Sequence, residues 1–222
     1  MVRTRSFLTD RCWVLVGIAA LSLVAVCGAQ DGRGLSLKAG TQTFTSPLTG
    51  EETTRTRFEL EVSTSRYADG RIDLALAFGG SSLGTLRDAS TTVEDGLITD
   101  AFSVDELSVY DVRLAARFYP LGGGRRDLTP YVGAGLGYFR FVDCWDDTVS
   151  VTDTASGITV TEAMSGMETV ADGFFPFVIA GLTMSLGDRA ELFAELEYDL
   201  SKRDKGYDLG GPAYLIGCRV RF

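Results

Sequence analysis

The sequence contains no histidine. A Ser-His-Asp or Cys-His nucleophilic site, a histidine-ligated zinc site and histidine general-base catalysis are thereby excluded, because each needs an imidazole. Basic residues are in deficit: 21 Lys and Arg stand against 30 Asp and Glu, a net charge of −9 that argues against a nucleic-acid surface. Cysteine is scarce. Of four, Cys12 and Cys27 lie in an N-terminal leader, and the remaining Cys144 and Cys218 do not make a disulfide framework. Their places in the pattern below fall near opposite ends of the molecule, so no bridge is expected. Beyond residue 29 there is also no apolar run long enough for a spanning helix.

What is present begins with that leader. Arg3, Arg5 and Arg11 give a basic start, and Trp13 to Val26 form an apolar run. Cys27, Gly28 and Ala29 then place small residues before a cleavage site, so residues 1–29 read as a secretory signal. A membrane anchor is the alternative, but the run falls short of the roughly 20 residues that span a bilayer. Loss of the leader removes three Arg and one Asp and makes the remaining chain, 30–222, more acidic.

Period-2 alternation then recurs along the chain. Phe58, Leu60 and Val62 oppose Arg57, Glu59 and Glu61. Ile72, Leu74, Leu76 and Phe78 oppose Arg71, Asp73, Ala75 and Ala77, while Tyr110, Val112, Leu114 and Phe118 oppose Asp111, Arg113 and Arg117. Leu192, Ala194, Leu196, Tyr198 and Leu200 oppose Glu191, Phe193, Glu195, Glu197 and Asp199. The last run sets Tyr214, Ile216, Cys218, Val220 and Phe222 against Leu215, Gly217, Arg219 and Arg221. Weaker alternation at 35–44, 130–142 and 174–186 completes eight strands.

Each run is about 10 residues long, the length with which a tilted strand crosses hydrocarbon. The connections alternate in size. Short ones fall at 68–70, 122–127 and 187–188, and long ones at 45–55, 84–106, 143–172 and 201–212. This predicts an all-β, eight-stranded antiparallel up-and-down transmembrane β-barrel, with apolar rows facing lipid and charged rows facing the lumen. The aromatic residues follow the plan. Phe58, Tyr110, Tyr138, Tyr198 and Tyr214 fall at the long-loop end of the outward rows, Phe118 and Phe222 at the other. A soluble, calycin-like eight-stranded barrel carrying a small apolar ligand is the competing architecture.

The stretch Thr129 to Tyr138, TPYVGAGLGY, resembles a strand signature of small bacterial outer-membrane barrels, the group of the outer-membrane protein A transmembrane domain and the opacity-type proteins. The resemblance covers residues 33–222 and is specific to architecture more than to activity. It implies an outer-membrane location in a Gram-negative cell envelope, with no cofactor. In this group the last strand, Tyr214, Ile216, Cys218, Val220 and a final Phe222, is the signal read by the barrel assembly machinery.

The lumen-facing rows gather the cations Lys38, Arg57, Arg71, Arg113, Arg117, Arg219 and Arg221 and the anions Glu59, Glu61, Asp73, Asp111, Glu191, Glu195, Glu197 and Asp199. Charges removed from water must be paired. A plug of ion pairs is therefore expected, particularly Glu195 or Glu197 with Arg219 or Arg221; a narrow proton or ion path is the functional alternative. Gly133, Gly135 and Gly137 on one inward row are expected to make room for Arg113, Arg117 or Phe177.

The 143–172 segment holds seven acidic residues and no Lys or Arg, and Asp153 to Gly157 separates two β-branched runs. That pattern predicts a hairpin extending two strands beyond the membrane, open to edge-on pairing with another strand. Acidic residues here and in 84–106 make a surface protein or a divalent cation the candidate partners, although no EF-hand spacing occurs. The functional expectation is a non-catalytic barrel serving envelope structure or surface contact. An outer-membrane protease, lipase or acyltransferase is the rival class, weakened by the missing histidine.

Overall fold

The computed structural model describes residues 33–45, 50–64, 66–122, 128–187 and 189–222; the predicted leader lies outside them. Eight strands close into one antiparallel barrel: β1 (Gly34–Thr45), β2 (Glu52–Ser63), β3 (Ile72–Glu94), β4 (Leu97–Phe118), β5 (Leu128–Asp153), β6 (Thr159–Ser185), β7 (Ala190–Asp199) and β10 (Gly211–Arg221). Sequential neighbours pair throughout, and β10 pairs with β1 from Gly34↔Arg221 to Gln42↔Ala213, leaving the barrel no edge. Two short strands, β8 (Arg203–Asp204) and β9 (Tyr207–Asp208), form a separate small hairpin in the β7–β10 connection.

The alternation in sequence decides which way each side chain points. On β7, Glu191, Phe193, Glu195, Glu197 and Asp199 are buried while Leu192, Leu196 and Tyr198 are exposed. Leu37, Leu74, Leu114, Leu136, Leu182 and Ile216 continue the exposed apolar band around the barrel. In water such a band would drive association; against hydrocarbon it carries no penalty. Phe58, Tyr198 and Tyr214 stand exposed towards one end of it and Phe118 and Phe222 towards the other.

The strands differ in length. β1, β2, β7 and β10 have 10 to 12 residues, whereas β3, β4, β5 and β6 have 22 to 27. The long four remain paired well beyond the barrel wall. A bulge at Ser82/Gly84 on β3 and another opposite Phe141/Val142 on β6 mark where this four-stranded extension leaves the barrel.

The expected hairpin in 143–172 is present, with Asp153 Oδ1 accepting from the Ala155 amide and Oδ2 from the Ser156 hydroxyl, both at 2.8 Å. The other long connections need correction. Segment 84–106 is also a hairpin, turned by Asp95 and Gly96 at φ 49° and 77°, the left-handed pair of a type I′ turn. Its signal was in the sequence, an Asp-Gly between β-branched runs. Segment 45–55 is shorter than read, because β1 and β2 stay paired to Thr45↔Glu52.

Candidate functional site: a balanced lumen and an acidic extension

The lumen fills from the short-turn end with interlocking ion pairs. Arg219 reaches Ser36 Oγ and Glu61 at 3.0 Å and Glu191 at 3.4 Å. Arg117 pairs with Glu61 and lies 3.3 Å from Glu195. Asp73 accepts from the Tyr119 hydroxyl at 2.9 Å, with Arg117 and Arg219 at 3.9 Å. Lys38 sits at the centre of four carboxylates: Glu195, Glu61 at 2.9 Å, Glu59 at 3.2 Å and Glu197 at 3.4 Å. Tyr131 donates to the far oxygen of Glu195 at 2.6 Å.

Nearer the long-loop end, Arg57 contacts Glu59 at 2.6 Å and Asp111 at 2.7 Å. Arg113 spans Asp111, Glu197 and Asp199 at 3.0, 2.8 and 2.7 Å. Above them Phe139, Phe141, Phe175 and Phe177, all at most 2% exposed, form an apolar cap with Leu83, Leu107 and Leu209. The guanidinium of Arg113 lies 5.0 Å from both Phe175 and Phe177, a cation–π arrangement that shields the top of the network.

Two expected placements fail. Arg71 is exposed in the 67–72 turn, its amide bonded to Tyr67 O at 2.9 Å, and does not enter the lumen. The strand begins only at Ile72, so the alternation does not extend back to residue 71. Glu195 and Glu197 do not pair with Arg219 or Arg221. The β7–β10 register sets Arg219 opposite Glu191, with Leu215 facing Glu195 and Ala213 facing Glu197. Those two glutamates therefore reach across the lumen to Lys38, Arg117 and Arg113. Arg221 is partly exposed at the rim, 3.0 Å from Glu191.

Two cations came from outside the alternating rows. Lys202, in the β7–β10 connection, is fully buried; its Nζ lies 2.8 Å from Asp111 and 3.4 Å from Asp199, over the Phe175 ring at 4.5 Å. Arg66 meets Glu191 at 3.3 Å with its guanidinium 3.9 Å from the Tyr119 ring. With Arg71 removed and these two added, eight cations meet eight carboxylates in the lumen and at its rim among the described residues. The glycine row makes room for bulk, as a Cβ at Gly133 would approach Arg117 Cγ at 3.3 Å and one at Gly135 the Phe177 ring at 2.6 Å. At Gly137 the neighbour is Phe175, at 2.3 Å, in addition to the three residues expected along this row.

The extension is built the opposite way. Register places Asp88 and Glu94 of β3, Asp105 of β4, Asp143, Asp147 and Asp153 of β5, and Glu162 and Glu168 of β6 on one face. That face continues the lumen-facing rows, and no Lys or Arg shares it; Arg87 points to the other side. Asp143 lies opposite Glu168 and diagonal to Asp105. Burial first, then those two carboxylates, push its carboxyl above the usual range, and its Oδ1 is buried without a hydrogen-bond partner. Asp153, at the tip, is held below the usual range by the Ser156 hydroxyl and the Ala155 amide. Among the described residues no three acidic or cysteine side chains gather closely enough to hold a metal ion. Cys144, on the extension, and Cys218, on β10 in the barrel wall, form no disulfide with each other.

No protein-family model matches the sequence, and no curated protein does. Solved structures match in shape. The chain is similar to neisserial surface protein A, at 14% identity and TM-score 0.54, over 86% of this chain and 97% of that one. It also aligns with outer membrane protein OprG of Pseudomonas aeruginosa, at 12% identity and TM-score 0.47, over 87% and 98% of the two chains. The attachment invasion locus protein of Yersinia pestis aligns at 13% identity and TM-score 0.45, over 87% and 100%. The fold is that of the small eight-stranded outer-membrane β-barrels.

Proposed function

We propose that this chain is a non-catalytic barrel of the bacterial outer membrane, sealed along its axis, that holds a rigid β-sheet away from the membrane for contact with a surface partner. The observation that carries this reading is the unequal strand length: four adjacent strands run 22 to 27 residues and stay paired beyond the wall, while the other four stop at 10 to 12. A paired sheet loses less conformational entropy on binding than a free loop does, so it suits a recognition element. The buried charge network and the Phe cap occupy the bore, which weighs against ion conduction and against carriage of an apolar ligand. Residues 1–29 serve as the export signal in this account. The outward row of β10, with Tyr214, Ile216, Cys218, Val220 and Phe222 all exposed, supplies the recognition strand for the barrel assembly machinery.

The test replaces 84–106 and 143–169 by tight turns. The shortened barrel should still reach the outer membrane and keep heat-modifiable gel migration, while cells expressing it lose the adherence or partner binding that the intact chain confers. Retained binding would refute the role given to the extension. Discrete conductance steps in a planar bilayer would refute the sealed axis.

A further inference from the structure

The extension is a single layer of sheet, and above its base the lumen-side face stands largely open among the described residues. Its carboxylates are interleaved with apolar side chains left in the open: Leu86 is 45% exposed, Leu97 43%, Val160 61% and Met164 58%. Near its middle lies a depression of about 290 Å³, lined by Asp88, Ser90, Ala101, Ser103, Asp147 and Met164 among others. Lower down, where the sheet leaves the barrel, the buried Asp143 Oδ1 has no donor within reach. Outside a barrel mouth, three crowded carboxylates and an unbonded buried oxygen are a cost that an arriving N–H donor would relieve. Eight negative charges, on a face that no Lys or Arg of these strands shares, repel phosphate, sulfated sugar and a second copy of the same face. They attract ammonium and guanidinium groups.

We infer that the lumen-side face of the extension docks a basic protein segment in extended conformation, its Lys or Arg side chains meeting Asp88, Asp143, Asp147 and Glu162 and its apolar side chains meeting Leu86, Val160 and Met164. This deepens the surface-contact reading above and rests on it. The geometry of the partner follows from the pleat. A segment that alternates basic and apolar residues presents both kinds of side chain at the spacing the sheet offers.

Trp145 lies on the same face and reports occupancy; Trp13, the second tryptophan, belongs to the predicted leader. Protein extracted from outer membranes in mild detergent is titrated with an eight-residue peptide alternating Lys and Val, and with its Glu-Val counterpart. The expected result is a saturable change in Trp145 emission with the Lys-Val peptide and none with the Glu-Val peptide. Binding should weaken at least about tenfold in the D88N/D147N/E162Q variant, and similarly when NaCl rises from about 50 to about 500 mM. The D100N/D146N variant, altered on the opposite face, should bind as the parent does. All variants are first shown to keep heat-modifiable migration. Equal weakening by the two variants, equal binding of the Glu-Val peptide, or no saturable response would each overturn the inference. Loss of surface binding on shortening the hairpins, together with any of these outcomes, would spare the proposed function and remove only the basic partner.

Discussion

The lumen and the extension are stretches of one continuous sheet, and both are rich in carboxylates, yet they treat them oppositely. Inside the barrel each buried Asp and Glu has a cation near it, even where the chain must supply one from a connection, as with Lys202. Past the bulges the same strands carry eight carboxylates on one face that none of their Lys or Arg residues shares. Water explains the contrast. A charge shut away from solvent without a partner costs several kcal/mol, whereas the same charge on an open sheet keeps its hydration. Balance therefore marks the part of the molecule that must be stable alone, and imbalance marks the part to which the proposed function gives a partner.

The sharpest way to break this comparison is to unbalance the lumen. Arg113→Met leaves Asp111, Glu197 and Asp199 facing one another with one bridging guanidinium gone. A loss of roughly 3–5 kcal/mol is expected, read as a lower urea midpoint for unfolding in lipid vesicles. Lys202→Met should cost less, about 2–3 kcal/mol, because the β8–β9 connection can lift and let water reach Asp111 and Asp199. The corresponding neutralisation on the extension, Asp147→Asn, should shift the same midpoint by no more than about 0.5 kcal/mol. A comparable loss at Asp147 would erase the distinction between the two regions.

Most of the barrel was legible because closure leaves each strand one choice. If alternate residues face lipid, the others face the lumen, so Glu59, Asp111, Arg113 and Glu197 could be placed from parity alone. What parity does not give is stagger. Which carboxylate meets which cation depends on strand register, and the expected pairing of Glu195 or Glu197 with Arg219 failed by four or more residues along β10. Lys202 was illegible for another reason. It sits between strands, where no periodicity assigns a direction, and only the folded connection carries it inward. The 84–106 hairpin has a readable Asp-Gly turn, but its long acidic flanks carry no strict alternation of apolar and polar residues to mark them as strands.

The glycine row gives a steric form of the comparison. Gly137→Ala puts a methyl group about where the Phe175 ring lies, since the added Cβ would fall 2.3 Å from its Cζ. The ring belongs to the cap and is fully buried, so the cap must shift, at about 1–3 kcal/mol. At Gly157, on the extension's tip, an added Cβ meets nothing, and Ala there suffers only from φ 68°. The expected cost is smaller, about 1 kcal/mol, confined to the hairpin and visible as faster amide exchange at 150–161 with an unchanged unfolding midpoint.

The smallest effect expected carries the opposite sign. Asp143 has its carboxyl pushed up by burial and by Asp105 and Glu168, so the folded extension favours the protonated acid more than the unfolded chain does. A carboxyl with a raised folded value weakens the fold above that value, and the weakening vanishes as pH falls below the ordinary carboxylate range. Acidification from neutrality should therefore raise the amide protection factors, corrected for the intrinsic fall of exchange with pH, around 104–107 and 142–145, the residues nearest this site. Asp143→Asn should raise the same protection factors at neutral pH and abolish their dependence on pH. Faster exchange in D143N would mean that the crowded carboxylate supports the extension, and the charge surplus would then be structural in both regions.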